Sequence, residues 1–389
     1  MNVPKLRFKE FTDEWKQTPL KNIIYSNIIE APKPTTDYIR LGIRSHCKGT
    51  FHELVKIENI LSADKMYIVP KNNLILNITF AWEQAIAITD DNDEGKYISN
   101  RFPTFAFKDN QLPTFYKYII PQKRLKYDLN VASPGGAGRN RVLNKKLFLS
   151  IPVNIPLLKE QEKIAKFLTT VDKKITNLEN IITSLENQKK GLLQQIFSQK
   201  LRFKDKNGNN YPNWEKKKLE DISNITMGQS PDSDFVNTEK IGTPFLQGNA
   251  EFTNKYPIEK YWCTKPQKIA NPTDILLSVR APVGAINIAN KKFCIGRGLS
   301  AISFNCNKLF GKYNLKFNLF QLIKKSQGST FSSINKKDIS EVILFIPCLE
   351  EQTKIADFLS AFDRKLENQK AQLEHWKQIK KGLLQQMFV

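Results

Sequence analysis

The chain has 389 residues, of which 40% are hydrophobic and 25% are charged, and its formal net charge is +22. This length favours two or more domains, and this hydrophobic content excludes an intrinsically disordered chain. The excess of basic over acidic side chains, 60 against 38, is typical of proteins that bind polyanions, and nucleic acid is the first candidate.

The sequence has none of the features of a secreted or membrane protein. Its first residues contain no apolar stretch that could act as a signal, and no apolar run reaches the roughly 18 residues that span a bilayer. The five cysteines have no paired spacing, which indicates free thiols in a reducing compartment. We therefore expect a cytoplasmic protein that does not contact membranes.

In chain order, the sequence divides into four segments, with bounds at 1–154, 155–198, 199–345 and 346–389. Residues 1–154 and 201–345 carry net charges of +8 and +10, whereas residues 155–200 and 346–389 carry only +3 and +1. The first and third segments are therefore basic blocks. We expect the polyanion-binding surface to lie on these two blocks rather than on the segments between and after them.

The segments after the two blocks repeat each other. Residues 155–197 and 346–388 align at a constant offset of 191 residues, and 21 of 43 positions are identical. The pentapeptide KLRFK also occurs twice, at 5–9 and at 200–204, while the interiors of the blocks share almost no identity. The chain therefore joins two units that have one architecture but different surfaces.

Apolar residues recur in both repeated segments at alternating spacings of four and three, beginning at Ile164 and Ile355. This heptad pattern predicts two long helices of about 40 residues, or roughly 60 Å each at 1.5 Å per residue. Lys189 and Lys380 occupy two of the apolar positions. We expect an antiparallel coiled coil with pseudo-two-fold symmetry, and the alternative is that each helix packs only on its own block.

The sequence KKGLLQQ closes both helices, although the middle of each helix has diverged. A glycine inside a helix costs about 1 kcal/mol relative to alanine, so we expect a compensating contact with another subunit. A fraying helix end is the alternative explanation. The candidate partner-binding residues are Gly191, Leu192, Leu193, Gly382, Leu383 and Leu384.

Strand patterns within residues 72–80 and 274–279 alternate with polar and basic loops, which predicts that each block is a mixed α+β domain. Arg can bracket a guanine edge and Asn or Gln an adenine edge, while Ser, Thr and Lys often bind phosphates. For any single residue, a solvated loop is the alternative explanation. The candidate DNA-binding residues are Arg40, Arg44, Arg139, Asn140, Arg141, Arg280, Gln327, Ser329, Thr330, Ser332 and Lys336.

No catalytic motif is found in the sequence. It lacks the GxxxxGK[ST] phosphate-binding loop, GxGxxG, HExxH and the Asn/Asp-Pro-Pro-aromatic signature of amino-methyltransferases. His46, Cys47 and His52 lie close together but have no paired fourth ligand for zinc. We expect neither catalytic residues nor a metal site in this chain.

These features together resemble the specificity subunit of type I restriction-modification enzymes, over nearly the whole chain. The resemblance depends on the doubled IPxLxEQxKIAxFL before each helix, on KKGLLQQ at the helix ends, on the KLRF and Trp starts, and on VRAPVG and GRGLSAI in the second block. The first block has NITFAWEQAIAI instead, which predicts that it recognises an unrelated half-sequence.

The resemblance implies a non-catalytic subunit with two α+β target-recognition domains, each reading half of a bipartite target in double-stranded DNA. It also implies two methyltransferase (M) subunits, docked on the spacer helices, and motor-nuclease (R) subunits in the assembled complex. S-adenosylmethionine, ATP and Mg would bind to those partners, so no cofactor is expected in this chain. Two other classes stay open: a two-headed DNA-binding regulator without enzyme partners, and a nuclease or methylase with degenerate motifs.

Overall fold

The computed structural model describes residues 3–59, 65–135, 141–253, 256–327 and 333–388. The chain divides into two compact units, of which unit 1 comprises residues 1–178 and 372–389 and unit 2 comprises residues 179–371. Each unit combines β-sheets with short helices and with parts of two long helices. The predicted mixed α+β class with two long helices is confirmed.

Unit 1 contains the first block, the first part of one long helix and the last part of the other. Its strands are β1 (Lys16–Pro19), β2 (Ile24–Ser26), β3 (Ile29–Ala31), β4 (Tyr38–Ile43), β5 (Thr50–Val55), β6 (Met66–Ile68), β7 (Leu74–Leu76), β8 (Ile86–Ile88), β9 (Tyr97–Ile98), β10 (Thr104–Phe107) and β11 (Pro152–Ile155). Its helices are α1 (Pro113–Ile119), α2 (Lys123–Val131), α3 (Lys145–Ser150) and the first part of α4 (Leu158–Phe197).

Unit 2 contains the second block. Its strands are β12 (Glu215–Lys218), β13 (Ser223–Met227), β14 (Val236–Asn237), β15 (Thr243–Leu246), β16 (Tyr261–Cys263), β17 (Ile269–Ala270), β18 (Ile275–Ser278), β19 (Ile286–Ile288), β20 (Phe293–Ile295), β21 (Leu299–Phe304) and β22 (Ile343–Ile346). Its helices are α5 (Leu219–Ile222), α6 (Lys308–Asn318), α7 (Phe320–Gln327), α8 (Lys336–Ser340) and most of α9 (Leu349–Gln386), whose last part belongs to unit 1.

Within the described residues, each unit contains a two-stranded ribbon, a four-stranded sheet and a five-stranded sheet. The strand orders are β1-β11, β2-β10-β7-β8 and β3-β6-β9-β4-β5 in unit 1, and β12-β22, β13-β21-β18-β19 and β14-β16-β15-β20-β17 in unit 2. Both five-stranded sheets include a parallel pair, β4 with β9 and β15 with β20. Because parallel strands end at the same edge of a sheet, the turns that follow them lie side by side.

The end of a long helix completes the hydrophobic core of each unit. In unit 1, the Phe388 ring centroid lies 6.0 Å from that of Trp15 and 5.8 Å from that of Phe115. In unit 2, the Phe197 ring lies 6.2 Å from that of Trp214 and 5.8 Å from that of Phe310. The two cores are therefore built on the same plan, although Phe388 comes from the far end of the chain.

A buried carboxylate anchors the start of each long helix. In unit 1, Glu160 accepts two hydrogen bonds from the Arg7 guanidinium, both at 2.8 Å, and one from the Trp15 indole at 3.3 Å. The next residue, Gln161, donates to the Pro156 carbonyl at 3.0 Å. The same contacts recur in unit 2, between Arg202, Trp214, Glu351, Gln352 and Pro347. The repeated KLRF, Trp and EQ signatures thus form the same hydrogen-bonded cluster in both units.

The two long helices pair within each unit. In unit 1, Lys380 Nζ lies 2.6 Å from Asp172 Oδ1, and Asp172 Oδ2 also accepts a hydrogen bond from the Tyr118 hydroxyl at 3.0 Å. The same three-residue cluster recurs in unit 2, formed by Lys189, Asp363 and Tyr313.

The pairing in unit 2 is antiparallel, as predicted. Glu186 on α4 contacts Lys370 on α9, and three residues later Lys189 contacts Asp363. The residue numbers of the partners on α9 therefore decrease as those on α4 increase. The start of α4 also packs on the core of its own block in unit 1, through Ile164 and neighbouring residues. The start of α4 therefore packs on its own block, but packing on that block alone, the alternative to a coiled coil, is excluded by the helix pairing.

Candidate nucleic-acid interface

Three segments meet at one corner of each unit. In unit 1 they are the loop after β7, the end of α2 and the residues before α3, and the Leu143 amide donates to the Ile78 carbonyl at 2.9 Å. In unit 2 they are the loop after β18, the end of α7 and the residues before α8, and the Ile334 amide donates to the Val279 carbonyl at 3.0 Å. The dissimilar sequences NITFAWEQ and VRAPVG therefore occupy the same structural position.

Arg141 is fixed at the corner of unit 1. Its guanidinium donates to the Ser133 carbonyl at 3.0 Å and to the Asn130 carbonyl at 2.8 Å, and it lies 5.1 Å from the Trp82 ring centroid. These carbonyls stand at the carboxyl end of α2, where a cation is favourable. The other two candidates predicted in this loop, Arg139 and Asn140, lie outside the described residues.

Arg280 is exposed at the corner of unit 2. The Ser278 hydroxyl bonds the carbonyls of Arg280 and Pro282, at 2.9 and 2.7 Å, and so fixes the course of the loop. Lys336 is exposed in the first turn of α8, which Asn335 caps. Gln327 is the last residue of α7, and its side chain lies outside the described part of the chain, as do Ser329, Thr330 and Ser332 altogether.

Arg44 lies near the corner of unit 1, whereas Arg40 lies farther along the sheet. The turn after β4 is bonded to the corner loop, because His46 N donates to the Glu83 carbonyl at 2.7 Å and Cys47 N to the Gln84 carbonyl at 2.9 Å. Arg44 in this turn lies 5.0 Å from the Phe51 ring centroid. Arg40 instead forms a 2.7 Å ion pair with Glu53 across the β4–β5 hairpin.

Three exposed polar residues at the same sheet edges were not among the predicted candidates. Arg101 follows β9 in unit 1, Gln247 follows β15 in unit 2, and Arg297 follows β20 in unit 2. Each stands just past the end of a strand in a parallel pair, and the order of strands in space is not written in the sequence. The glycines on both sides of Arg297 were the one local signal of a tightly built turn.

One face of each KKGLLQQ motif packs against the unit that contains the motif. Leu193 packs against the core of unit 2, and Leu383 and Leu384 pack against the core of unit 1. At Gly191 and Gly382, by contrast, an added Cβ atom would meet no described atom within 4 Å. The motif therefore combines an intramolecular contact with an open position on each helix.

Neither a metal cluster nor a membrane-spanning helix occurs in the described parts of the chain. No three His, Cys, Asp or Glu side chains there are arranged to hold a metal ion, and His52 Nε2 instead lies 2.9 Å from Asp93 Oδ1. No described helix combines the length and the apolar character that crossing a bilayer requires.

Comparison with known proteins identifies this architecture. The family model for the type I restriction modification DNA specificity domain matches the chain twice, at residues 17–187 and 211–375. The chain is 37% identical over 408 aligned positions to a putative type I restriction enzyme MjaX specificity subunit of Methanocaldococcus jannaschii, covering 98% of this chain and 95% of that protein. The MjaVIII specificity subunit of the same organism is 24% identical over an alignment that covers 91% of this chain and 84% of that protein.

Solved structures show the same fold. A chain from a structural study of complex assembly and conformational transition in the type I R-M system is 25% identical, with a TM-score of 0.59 over 95% of this chain and 96% of that one. The S subunit of a type I restriction-modification system from M. genitalium is 15% identical, with a TM-score of 0.62 over 100% of this chain and 99% of that one. At 15% identity the second likeness supports the fold alone.

Proposed function

Because this chain belongs to the family of type I restriction-modification DNA specificity subunits, we propose that it selects the DNA sequence on which a type I enzyme acts. Each unit reads one half of a bipartite target in double-stranded DNA. The chain itself supplies recognition and assembly, and the chemistry belongs to its partner subunits.

One observation supports this proposal most directly: the two units share the same structural framework, but the loops at their corners differ. The anchoring residues recur from unit to unit, as with Glu160 and Glu351, whereas the loops at the corners share almost no sequence. A protein that recognised one repeated half-sequence would keep the same loops in both units. Two different loop sets on one frame favour two different half-sequences.

We assign DNA contacts to basic residues at the two corners, of which Arg44, Arg280 and Lys336 are exposed and Arg141 is half-buried. Arg44 and Arg141 would contact DNA in unit 1, and Arg280 and Lys336 would contact it in unit 2. The candidates that lie outside the described residues keep the same proposed role. Arg40 already has a carboxylate partner, Glu53, so we expect it to contribute less to DNA binding than the other four residues. Side chains of this kind bind phosphates or guanine edges.

The long helices space the two units and dock the methyltransferase subunits. α4 has 40 residues and α9 has 38, so each is about 60 Å long. We propose that two methyltransferase subunits bind, one near each KKGLLQQ end, and that the open positions at Gly191 and Gly382 admit a close helix crossing there. Motor-nuclease subunits join through the assembled complex, and S-adenosylmethionine, ATP and Mg bind to the partner subunits.

Exchange of one reading block tests the proposal. Residues 22–140 are replaced by the corresponding block of another specificity subunit, and the methylated sites of cells that carry the complete system are sequenced. One half of the methylated target should change while the other half stays the same, because the frame that joins the units is untouched. The unchanged half is the internal control, and alteration of both halves would contradict independent reading.

A further inference from the structure

The turn after β20 in unit 2 is held unusually close to its neighbours. It has the sequence Gly296-Arg297-Gly298. A Cβ atom added at Gly296 would lie 3.0 Å from Gln247 Cα, and one added at Gly298 would lie 2.7 Å from the Gln247 carbonyl oxygen. Only glycine fits at both positions, so the backbone on each side of Arg297 is packed directly against the turn that follows β15.

Hydrogen bonds fix this turn to its surroundings. Gly296 N donates to the Leu246 carbonyl at 2.8 Å, and Val279 N donates to the Gly298 carbonyl at 3.0 Å. The amide of Arg297 itself donates to the Ser230 hydroxyl at 3.3 Å. The backbone of Arg297 is thus braced by three separate segments of unit 2.

The Arg297 side chain takes no part in this bracing. It is exposed, and among the described residues no carboxylate or carbonyl accepts a hydrogen bond from its guanidinium. Arg7 and Arg202, by contrast, are each bonded to a buried glutamate. A rigid backbone therefore presents a guanidinium whose hydrogen-bond donors are unused.

Polar side chains of the adjacent turn accompany Arg297. Leu246 and Ile295 are partners in the parallel pair of β15 and β20, so Gln247 emerges beside Arg297 at the same edge. Gln247 is exposed, and its amide nitrogen lies 3.1 Å from the hydroxyl oxygen of Ser230. Ser230 thereby holds both turns in one orientation.

We propose that Arg297 reads a guanine in the half-site bound by unit 2, by donating to N7 and O6 of that base in the major groove. This proposal rests on the proposed function of the chain. Bidentate guanine recognition is the commonest specific contact of arginine, and it requires a fixed approach direction. A braced turn supplies that direction at low entropic cost, whereas a phosphate contact needs no such rigidity.

The test uses the complete restriction-modification complex with an Arg297→Ala substitution in this chain. Methylated sites are mapped by sequencing in cells, and the purified complex is titrated against DNA duplexes that vary one base pair at a time. We expect one G·C pair in one half-site to lose its preference, with about a 5- to 150-fold loss of discrimination at that position. The rest of the target, including the other half-site, should be unchanged.

Two further variants separate base reading from the effect of charge. Lys292→Ala removes an exposed charge from the other end of β20, and the target sequence should stay the same. Arg297→Lys keeps the charge but loses the planar fork, so it should also relax the one position. If Arg297→Ala abolishes all methylation, the Arg297→Lys complex decides the question by the same measurement.

A uniform loss of affinity for all sequences, with the recognised target unchanged, would make Arg297 a phosphate contact and overturn the proposal. An unchanged target at unchanged affinity would overturn it as well. A wild-type complex that methylates no bipartite site would instead refute the proposed function of the whole chain, so that the two failures are distinguishable.

Discussion

At the scale of single residues, the cluster of Lys189, Asp363 and Tyr313 explains the polar position in the helix seam. Lys189 and Asp363 are only 16% and 28% exposed, and the Tyr313 hydroxyl bonds the same carboxylate at 2.5 Å. Charged groups at this depth are tolerated only when they are paired. The cluster therefore fixes the register of one helix against the other, as buried polar groups do in coiled coils.

Lys189→Met removes the charge but keeps most of the apolar stem, and it should lower the free energy of unfolding of unit 2 by about 1–3 kcal/mol. Asp363 would lose its cation while it remains half-buried. Urea denaturation followed by hydrogen exchange of unit 2 amides measures the effect. Lys190→Met, at the exposed neighbouring position, is the matched control and should change stability by less than about 0.5 kcal/mol. Equal effects of the two substitutions would argue against a register role.

The same cluster gives this stability a pH dependence. Burial raises the pKa of Asp363, but the hydrogen bonds from Lys189 and Tyr313 outweigh it, and the pKa lies below its ordinary value of 3.8. The folded state therefore binds this proton more weakly than the unfolded state. Its contribution to stability is complete above the ordinary pKa and is lost as the pH falls through the lower, folded-state pKa.

The sequence predicted single residues well where their role is local and poorly where it is tertiary. Lys189 and Lys380 could be recognised as polar positions in an apolar seam, because the seam is periodic along one helix. Their partners, Asp363 and Asp172, lie on a different helix, and no spacing along the chain connects them. Arg297 lies in a basic loop of the sequence but was not selected as a DNA-binding candidate for the same reason, since its importance comes from the packing of two turns that are about 50 residues apart in sequence.

At the scale of elements, each KKGLLQQ helix end has a covered face and an open face. The motif leads into buried residues, Ile196 and Phe197 in unit 2 and Met387 and Phe388 in unit 1. The glycine in each copy faces open space. The buried face accounts for part of the sequence identity of the two copies without any partner, which the sequence alone could not reveal.

Substitutions on the two faces should therefore have different effects. Gly382→Leu places a large side chain on the open face, and we expect the purified complex to shift from two methyltransferase subunits towards one while unit 1 stays folded. Phe388→Ala removes a buried ring and should destabilise unit 1 by about 3 kcal/mol. Light scattering measures the composition of the complex, and hydrogen exchange measures folding. Two methyltransferase subunits still bound to the Gly191→Leu, Gly382→Leu double variant would limit the motif to its intramolecular role.

The elements themselves were predictable in proportion to their periodicity. The heptads from Ile164 and Ile355 predicted both long helices to within a few residues, because amphipathic helices carry their pattern locally. The short strands that form the parallel pairs, such as β9 and β20, have only two or three residues. Strands of that length exist only because neighbouring strands and loops hold them in place, so no local pattern marks them.

At the scale of the whole molecule, the two long helices are the continuous elements that both units share. α4 passes from unit 1 to unit 2 after Leu178, and α9 passes from unit 2 to unit 1 after Ala371. Seven residues form two turns of a coiled coil, so the insertion of one heptad at each of these points preserves the apolar seam. Each insertion lengthens its helix by about 10 Å, which corresponds to about three base pairs of DNA at 3.4 Å per base pair.

We therefore expect the double insertion to select a target whose unread gap is about three base pairs longer, while both half-sequences stay the same. Methylome sequencing of cells that carry the altered system measures the gap and the half-sequences together. A two-residue insertion at the same two points is the matched control, since it lengthens each helix by only about 3 Å but rotates the apolar seam by about 200°, away from the partner helix, and it should abolish methylation. Unchanged half-sites with an unchanged gap in the heptad variant would show that the helices do not set the spacing, and the gap would then have to be set by the partner subunits that hold the DNA.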